Sequence, residues 1–203
     1  MVVLAIALVA VSAAAVRAAD TVTNLEYQVK AAFLYNFMRF IDWPAEEASS
    51  KEALVIGIIG EDPFGDAFAP VKDKQVKGRD VVFKRFKGLE ELKKAGEKDQ
   101  SAFKQEIETI RKCNLLFICS SEKKNLGEII QLLQGSPVLT VGEMDNLIEA
   151  GGMIKFLMES KKVRFEINLT SAEKTGLKIR SQLLRLAKKI VGKSTSGNNE
   201  GIK

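Results

Sequence analysis

A chain of 203 residues with 46% hydrophobic content and a formal charge of +5 reads as one globular domain or two small ones, not as a disordered or linker-rich polypeptide. It has no His and two Cys, which leaves no ligand set for a zinc or copper site of the common kind and removes Ser-His-Asp and Cys-His catalysis. Its basic residues are spread along the chain, alternate with acidic ones and carry few interleaved aromatics, so they predict a solvated surface and no nucleic-acid partner.

Residues 1–19 are set apart. The run from Val2 to Val16 holds only Val, Leu, Ile, Ala and one Ser, and Arg17-Ala18-Ala19-Asp20 follows. Small residues before a polar junction fit a cleavable signal peptide, although a basic n-region is missing. A membrane anchor is the rival reading, and the run is about one turn short of the roughly 20 residues needed to span a bilayer. Cleavage and export are the expectation. Residues 20–193 then form the folded domain, and 194–203 a polar, disordered tail.

The stretch Tyr27 to Pro44 contains Phe33, Phe37 and Phe40, both Tyr residues and the only Trp. At 100° per residue, Val29, Phe33, Leu34, Phe37, Phe40 and Ile41 share one arc interrupted only by Lys30, while Gln28, Asn36, Arg39 and Asp42 form a polar strip. This predicts an amphipathic helix stopped by Pro44. Its aromatic face is either core or, in part, an exposed docking surface.

Ala53 to Ile59 is a continuous apolar run, as expected for a strand buried on both faces of a parallel sheet. Asp62-Pro63 predicts a short helix ending before Pro70. Asp80 to Phe86 reads as a more polar strand at or near an edge, and Leu89 to Lys112 as helix broken within Ala95–Ser101. Asn114 to Cys119 and Val138 to Val141 are further apolar strands, separated by a helix that Ser120 or Ser121 would cap. A strand between Cys113 and Cys119 holds them about 20 Å apart, beyond the roughly 7 Å of a disulfide, so buried thiols are expected. Met144 to Glu149 predicts a short helix. Met153–Glu159 and Lys161–Leu169, the second alternating cleanly, predict a β-hairpin, and Ser171 would cap a final helix bearing Leu177, Leu184, Ile190 and Val191. The expected fold is a single α/β domain: a mainly parallel sheet flanked by helices, with an appended antiparallel β-hairpin and a C-terminal helix.

Ligands of open parallel sheets bind beyond the carboxyl ends of the strands. Those ends are Gly60-Glu61-Asp62, Ser120-Ser121 and Gly142-Glu143, so Glu61, Ser120, Ser121 and Glu143 are the ligand-crevice candidates. Turn and cap roles for the same residues are the plainer alternative. No phosphate-binding glycine pattern and no nucleophile–base pair is present, and no catalytic residue, cofactor or metal is assigned.

Tyr27-x-Val-Lys-Ala-Ala-Phe-Leu-Tyr-Asn-Phe-x-Arg-Phe-x-x-Trp-Pro44, Val138-Leu-Thr-Val-Gly-Glu143, Gly151-Gly-Met-Ile154, Val163-Arg-Phe-Glu-Ile-Asn-Leu169 and Gly176 to Ala187 together resemble the YfiR family. The resemblance implies a periplasmic, non-enzymatic regulator, typically a homodimer. Such a regulator binds the periplasmic sensor portion of an inner-membrane diguanylate cyclase and represses it, lowering cyclic di-GMP and restraining biofilm formation. No direct membrane insertion is expected once the signal peptide is removed. The family's redox behaviour involves more cysteines than Cys113 and Cys119. Tyr35, Arg39, Arg164 and Glu166 are the candidates for partner binding or self-association. The alternative is a periplasmic small-ligand sensor without a cyclase partner, built on the crevice.

Overall fold

The computed structural model describes residues 24–44 and 52–192; the expected leader and tail lie outside them. Helix α1 covers 24–40 and runs into β1 (Ile41–Asp42). Then come β2 (Leu54–Ile59), β3 (Gln75–Val76) and β4 (Arg79–Phe86), followed by α2 (Leu89–Lys98), α3 (Gln100–Arg111) and β5 (Leu115–Ile118). After these lie α4 (Leu126–Leu132), β6 (Leu139–Gly142), β7 (Ile154–Glu159) and β8 (Lys162–Asn168). The chain closes with α5 (Leu169–Lys174), β9 (Lys178–Ile179), α6 (Ser181–Leu184) and β10 (Lys189–Val191).

Eight strands form one sheet in the order β10-β8-β7-β6-β5-β2-β4-β3. The apolar runs β2, β5 and β6 occupy its centre in parallel, because only strands covered on both faces carry such continuous hydrophobicity. β7 joins β6 in parallel and β8 pairs antiparallel with β7, giving the expected hairpin. Its turn uses Ser160 and Lys161, both at positive φ, the conformation that matches the twist of the two strands. β1 and β9 form a separate antiparallel pair.

Alternation along the strands sorts side chains into two cores. On one face α1 lays Leu34, Phe37 and Met38 over Ile56, Ile58, Phe117, Phe156, Phe165 and Ile167. The Phe37 ring stacks on Phe156 at 5.7 Å and meets Phe165 edge-on at 5.2 Å. The opposite face packs Ile59, Phe86, Leu116 and Ile118 beneath α2, α3 and α4. There Gly57 is a required close approach, since a Cβ would lie 2.9 Å from the Cys113, Leu116 and Phe86 side chains.

Several local expectations change. The helix ends at Phe40 rather than at Pro44, because Ile41 and Asp42 pair with Ile179 and Lys178. Asp62 accepts a hydrogen bond from the Phe64 N–H, so the segment turns, and one short 3-10 helix (Ala69–Val71) contains Pro70 instead of ending before it. The short helix expected at Met144 to Glu149 is absent, and residues 145–150 form turns. The break between α2 and α3 does fall within Ala95–Ser101 as expected, at Asp99, whose side chain caps α3 through the Ser101 and Ala102 N–H groups. The C-terminal helix α5 is capped by Asn168 rather than Ser171, and it is short. Of the residues expected on one helical face, Leu177 lies in the link before β9, Leu184 ends α6, and Ile190 and Val191 belong to β10. Among the described residues, no helix is long and apolar enough to cross a membrane.

Candidate functional site

The one charge within the apolar arc of α1 is the key to the carboxyl ends of the strands. Lys30 is 3% exposed and ion-pairs with Glu26, one turn earlier on α1, and with Glu143, which follows β6. The Tyr27 hydroxyl donates to Glu143 Oε1 at 2.9 Å, and the Ser120 hydroxyl donates to the same oxygen at 3.0 Å. The Lys30 ammonium also sits 4.4 Å from the centre of the Tyr27 ring. One carboxylate thus gathers three donors from α1 and from the loop after β5. Burial, and then the charge of Glu143, push the Tyr27 phenol well above its ordinary range.

Ser121 works elsewhere. Its hydroxyl accepts from the Glu61 N–H at 3.0 Å, tying the loop after β2 to the loop after β5. Beside this tie lies a cleft of about 500 Å³ lined by Glu61, Ser121, Gly88, Glu90, Glu122 and Lys124, among others. Glu122, 5% exposed, turns away to cap α2: its Oε2 accepts from the Leu89 N–H at 3.0 Å and from the Asn125 side chain at 3.1 Å. Because both serine hydroxyls bridge strand ends, neither caps α4. That helix starts after Asn125 with no side-chain cap, behind a 3-10 turn at Ser120–Glu122.

The four crevice candidates therefore separate into two neighbouring groups: Ser120 with Glu143, and Ser121 with Glu61. Lys30, Tyr27, Glu26 and Glu122 complete them and are not among the site candidates drawn from the sequence. The available signal was Lys30 itself, a lone cation inside an apolar stripe, where a buried charge requires a partner.

Both cysteines are free and buried. Cys113 belongs to the core under α2, α3 and α4, and Cys119 to the core under α1, so they lie on opposite sides of the sheet. Burial pushes each thiol up to about 12, and for Cys119 the carboxylates of Asp62, Glu143, Glu122 and Glu61 add to it. Neither offers a thiolate near neutral pH.

The partner-binding candidates lie apart. The Tyr35 hydroxyl donates to the Gln75 carbonyl at 2.9 Å, and Arg39 is exposed on the same helix. Arg164 and Glu166 flank Phe165, and strand alternation points them to the face opposite the one α1 covers. Glu166 is paired with Lys155 at 3.1 Å, while Arg164 is exposed. A flat partner surface reaches Tyr35 and Arg39, or Arg164 and Glu166, but not both. Among the described residues, no cluster of His, Cys, Asp and Glu has the makings of a metal site.

Residues 27–188 match the family model described as YfiR/HmsC-like. Among solved structures, a conserved domain protein from Vibrio cholerae O1 biovar El Tor is 13% identical, with a TM-score of 0.49 over 79% of this chain and 59% of that one. A domain from Streptococcus pneumonia solved in complex with L-Trp is 10% identical, with a TM-score of 0.45 over 68% of this chain and 55% of that one. Such distant likenesses carry no functional reading.

Proposed function

Since the chain belongs to the YfiR/HmsC-like family, a family of periplasmic regulators, we propose that it is an exported, non-enzymatic repressor that binds the periplasmic sensor portion of an inner-membrane diguanylate cyclase. Binding lowers cyclic di-GMP signalling and restrains biofilm formation. The observation that carries this reading is the family match, which takes in all of α1 from Tyr27 onward and nearly all of the sheet. The protein acts through surface contact, as a homodimer, with residues 1–19 removed on export and 20–193 as the functional domain.

Two surfaces serve as partner candidates, the Tyr35–Arg39 side of α1 and the Arg164–Glu166 face of the hairpin. Because they face opposite ways, a dimer contact on one leaves the other for the cyclase. Deleting the gene should raise cyclic di-GMP, and the tagged chain should retrieve a membrane cyclase. Separate Arg39→Glu and Arg164→Glu variants identify the partner face. Unchanged cyclic di-GMP in the deletion strain, with no cyclase retrieved, would sink the reading.

The cleft at Glu61 and Ser121 favours a second reading, a small-ligand sensor without a cyclase partner. Its lining is rich in carboxylates, which suits a cationic ligand. Putrescine and spermidine should then raise the melting temperature, and Glu61→Gln should remove the effect. Glu143→Ala does not test this, since it breaks the Lys30 network.

A further inference from the structure

The two edges of the large sheet are unlike. β10 is three residues long, whereas β4 is eight, and β3 covers only its first two positions, Arg79 and Asp80. From Val81 to Phe86 the strand has β2 on one side and, among the described residues, no strand on the other. The Gly60 N–H donates to the Phe86 carbonyl at 3.2 Å, so that carbonyl faces the β2 side. Backbone groups alternate in direction along a strand, and those of Val81, Phe83 and Arg85 therefore face outward. A long edge left open is unusual, because its outward backbone groups are a template for pairing with another chain.

Beside this edge runs a groove of about 720 Å³, walled on the far side by the segment from Gly65 to Lys74. A strand spaced about 4.8 Å from its neighbour, in a layer about 10 Å thick, takes roughly 160 Å³ per residue. The groove accommodates four or five residues on that basis. Its apolar floor is the Phe68–Phe83 pair, with ring centres 4.4 Å apart. The charges of the outer wall balance, with Lys72 and Lys74 next to Asp66 and Asp73. On the strand, Arg85 is held by Asp62 at 2.6 Å, while Lys84 is exposed without an ion pair among the described residues. Val82, on the same face as Lys84, is 38% exposed.

We propose that the β4 edge is a strand-addition site for an extended segment of a partner protein. The segment carries an acidic residue opposite Lys84, an apolar residue opposite Val82, and an apolar side chain between them that enters the groove over Phe68 and Phe83. Main-chain bonds to Val81, Phe83 and Arg85 supply affinity, and the alternate side chains supply selectivity. None of Tyr35, Arg39, Arg164 and Glu166 lines this groove, and the proposal stands whether or not the partner is a cyclase.

The test pans a phage-displayed library of random twelve-residue peptides on the mature chain and follows amide hydrogen exchange with a recovered synthetic peptide. Expected are peptides with the apolar–apolar–acidic pattern that slow exchange at Val81, Phe83 and Arg85 and leave Val82 and Lys84, already turned to β2, unchanged. Lys84→Glu should weaken these peptides at least fivefold, and Lys104→Glu on α3 should not. Recovering no peptide, or only peptides that protect none of the three outward amides, overturns the proposal. So does protection of those amides by raising the chain's own concentration without peptide, which would make the edge a contact between two copies.

Discussion

Replacing Glu143 by Ala removes the carboxylate that Lys30, Tyr27 and Ser120 share, and the structure sets the size of the effect. Lys30 is 3% exposed and cannot recover water, so its charge is left with Glu26 alone. Breaking a buried pair from one side costs about 3–5 kcal/mol. Glu26 remains as a partner, which reduces the expected loss to about 2–4 kcal/mol. For a domain of this size that is a fall of roughly 4–16 °C in Tm. Lys30→Met should cost less, because Glu143 is 18% exposed and its carboxylate can be hydrated. The double variant should then be milder than Glu143→Ala alone, since no unpaired ammonium is left buried. Glu143→Gln, which keeps the hydrogen-bond acceptor, should fall between wild type and Glu143→Ala. Urea titration of the four variants with wild type measures all of this. If Glu143→Ala lies within about 0.5 kcal/mol of wild type, or Lys30→Met is as damaging, the network is not what holds α1 on the strand ends.

Asp42 supplies a pH-dependent contribution. The bidentate Arg180 guanidinium, aided by Lys77, lowers its carboxyl to about 2. A depressed folded value means that the stability is present above the unfolded value near 4 and is lost as pH falls towards 2. The pair is exposed, so the effect stays at roughly 1 kcal/mol or below; Arg180→Ala should flatten that part of the acid limb, and an unchanged profile would refute it. Cys113 and Cys119 should resist a thiol reagent at neutral pH in the native protein and both react in urea, with labelling counted by mass spectrometry; rapid native labelling would contradict the burial. Gly57→Ala should destabilise by about 1–3 kcal/mol through overpacking, read as a lower urea midpoint, because its Cβ meets three side chains at 2.9 Å.

The legible parts of the fold are those in which neighbouring residues share one environment. Ile56, Ile58 and Ile59, like Leu115 to Ile118, are apolar in succession because both faces of the central strands are covered. The alternation of Val163, Phe165 and Ile167 marks β8, whose other face stays wetter. The strand-end rule gathered Glu61, Ser120, Ser121 and Glu143 as one set, and only the structure paired Ser120 with Glu143 and Ser121 with Glu61. It could not assign hydroxyls among competing partners, so the helix caps expected of Ser120 and Ser121 are instead bridges between strands.

The α1 segment divides the two kinds of information. Its periodicity was enough to bury Leu34, Phe37 and Ile41, because a helix fixes which residues share a face within a few positions, although Val29 on the same arc is left exposed. The same periodicity made Lys30 an interruption, since its meaning depends on Glu143, 113 positions away. Only tertiary structure decided that this cation is the tie between helix and sheet. It also divided the stretch after Asn168 into short helices and edge strands, because Ile179 pairs with Ile41 and Ile190 pairs with Ile167. Local pattern determines what a segment can become. Long-range pairing, paid for by burial elsewhere in the chain, determines where it ends and which polar groups it must satisfy.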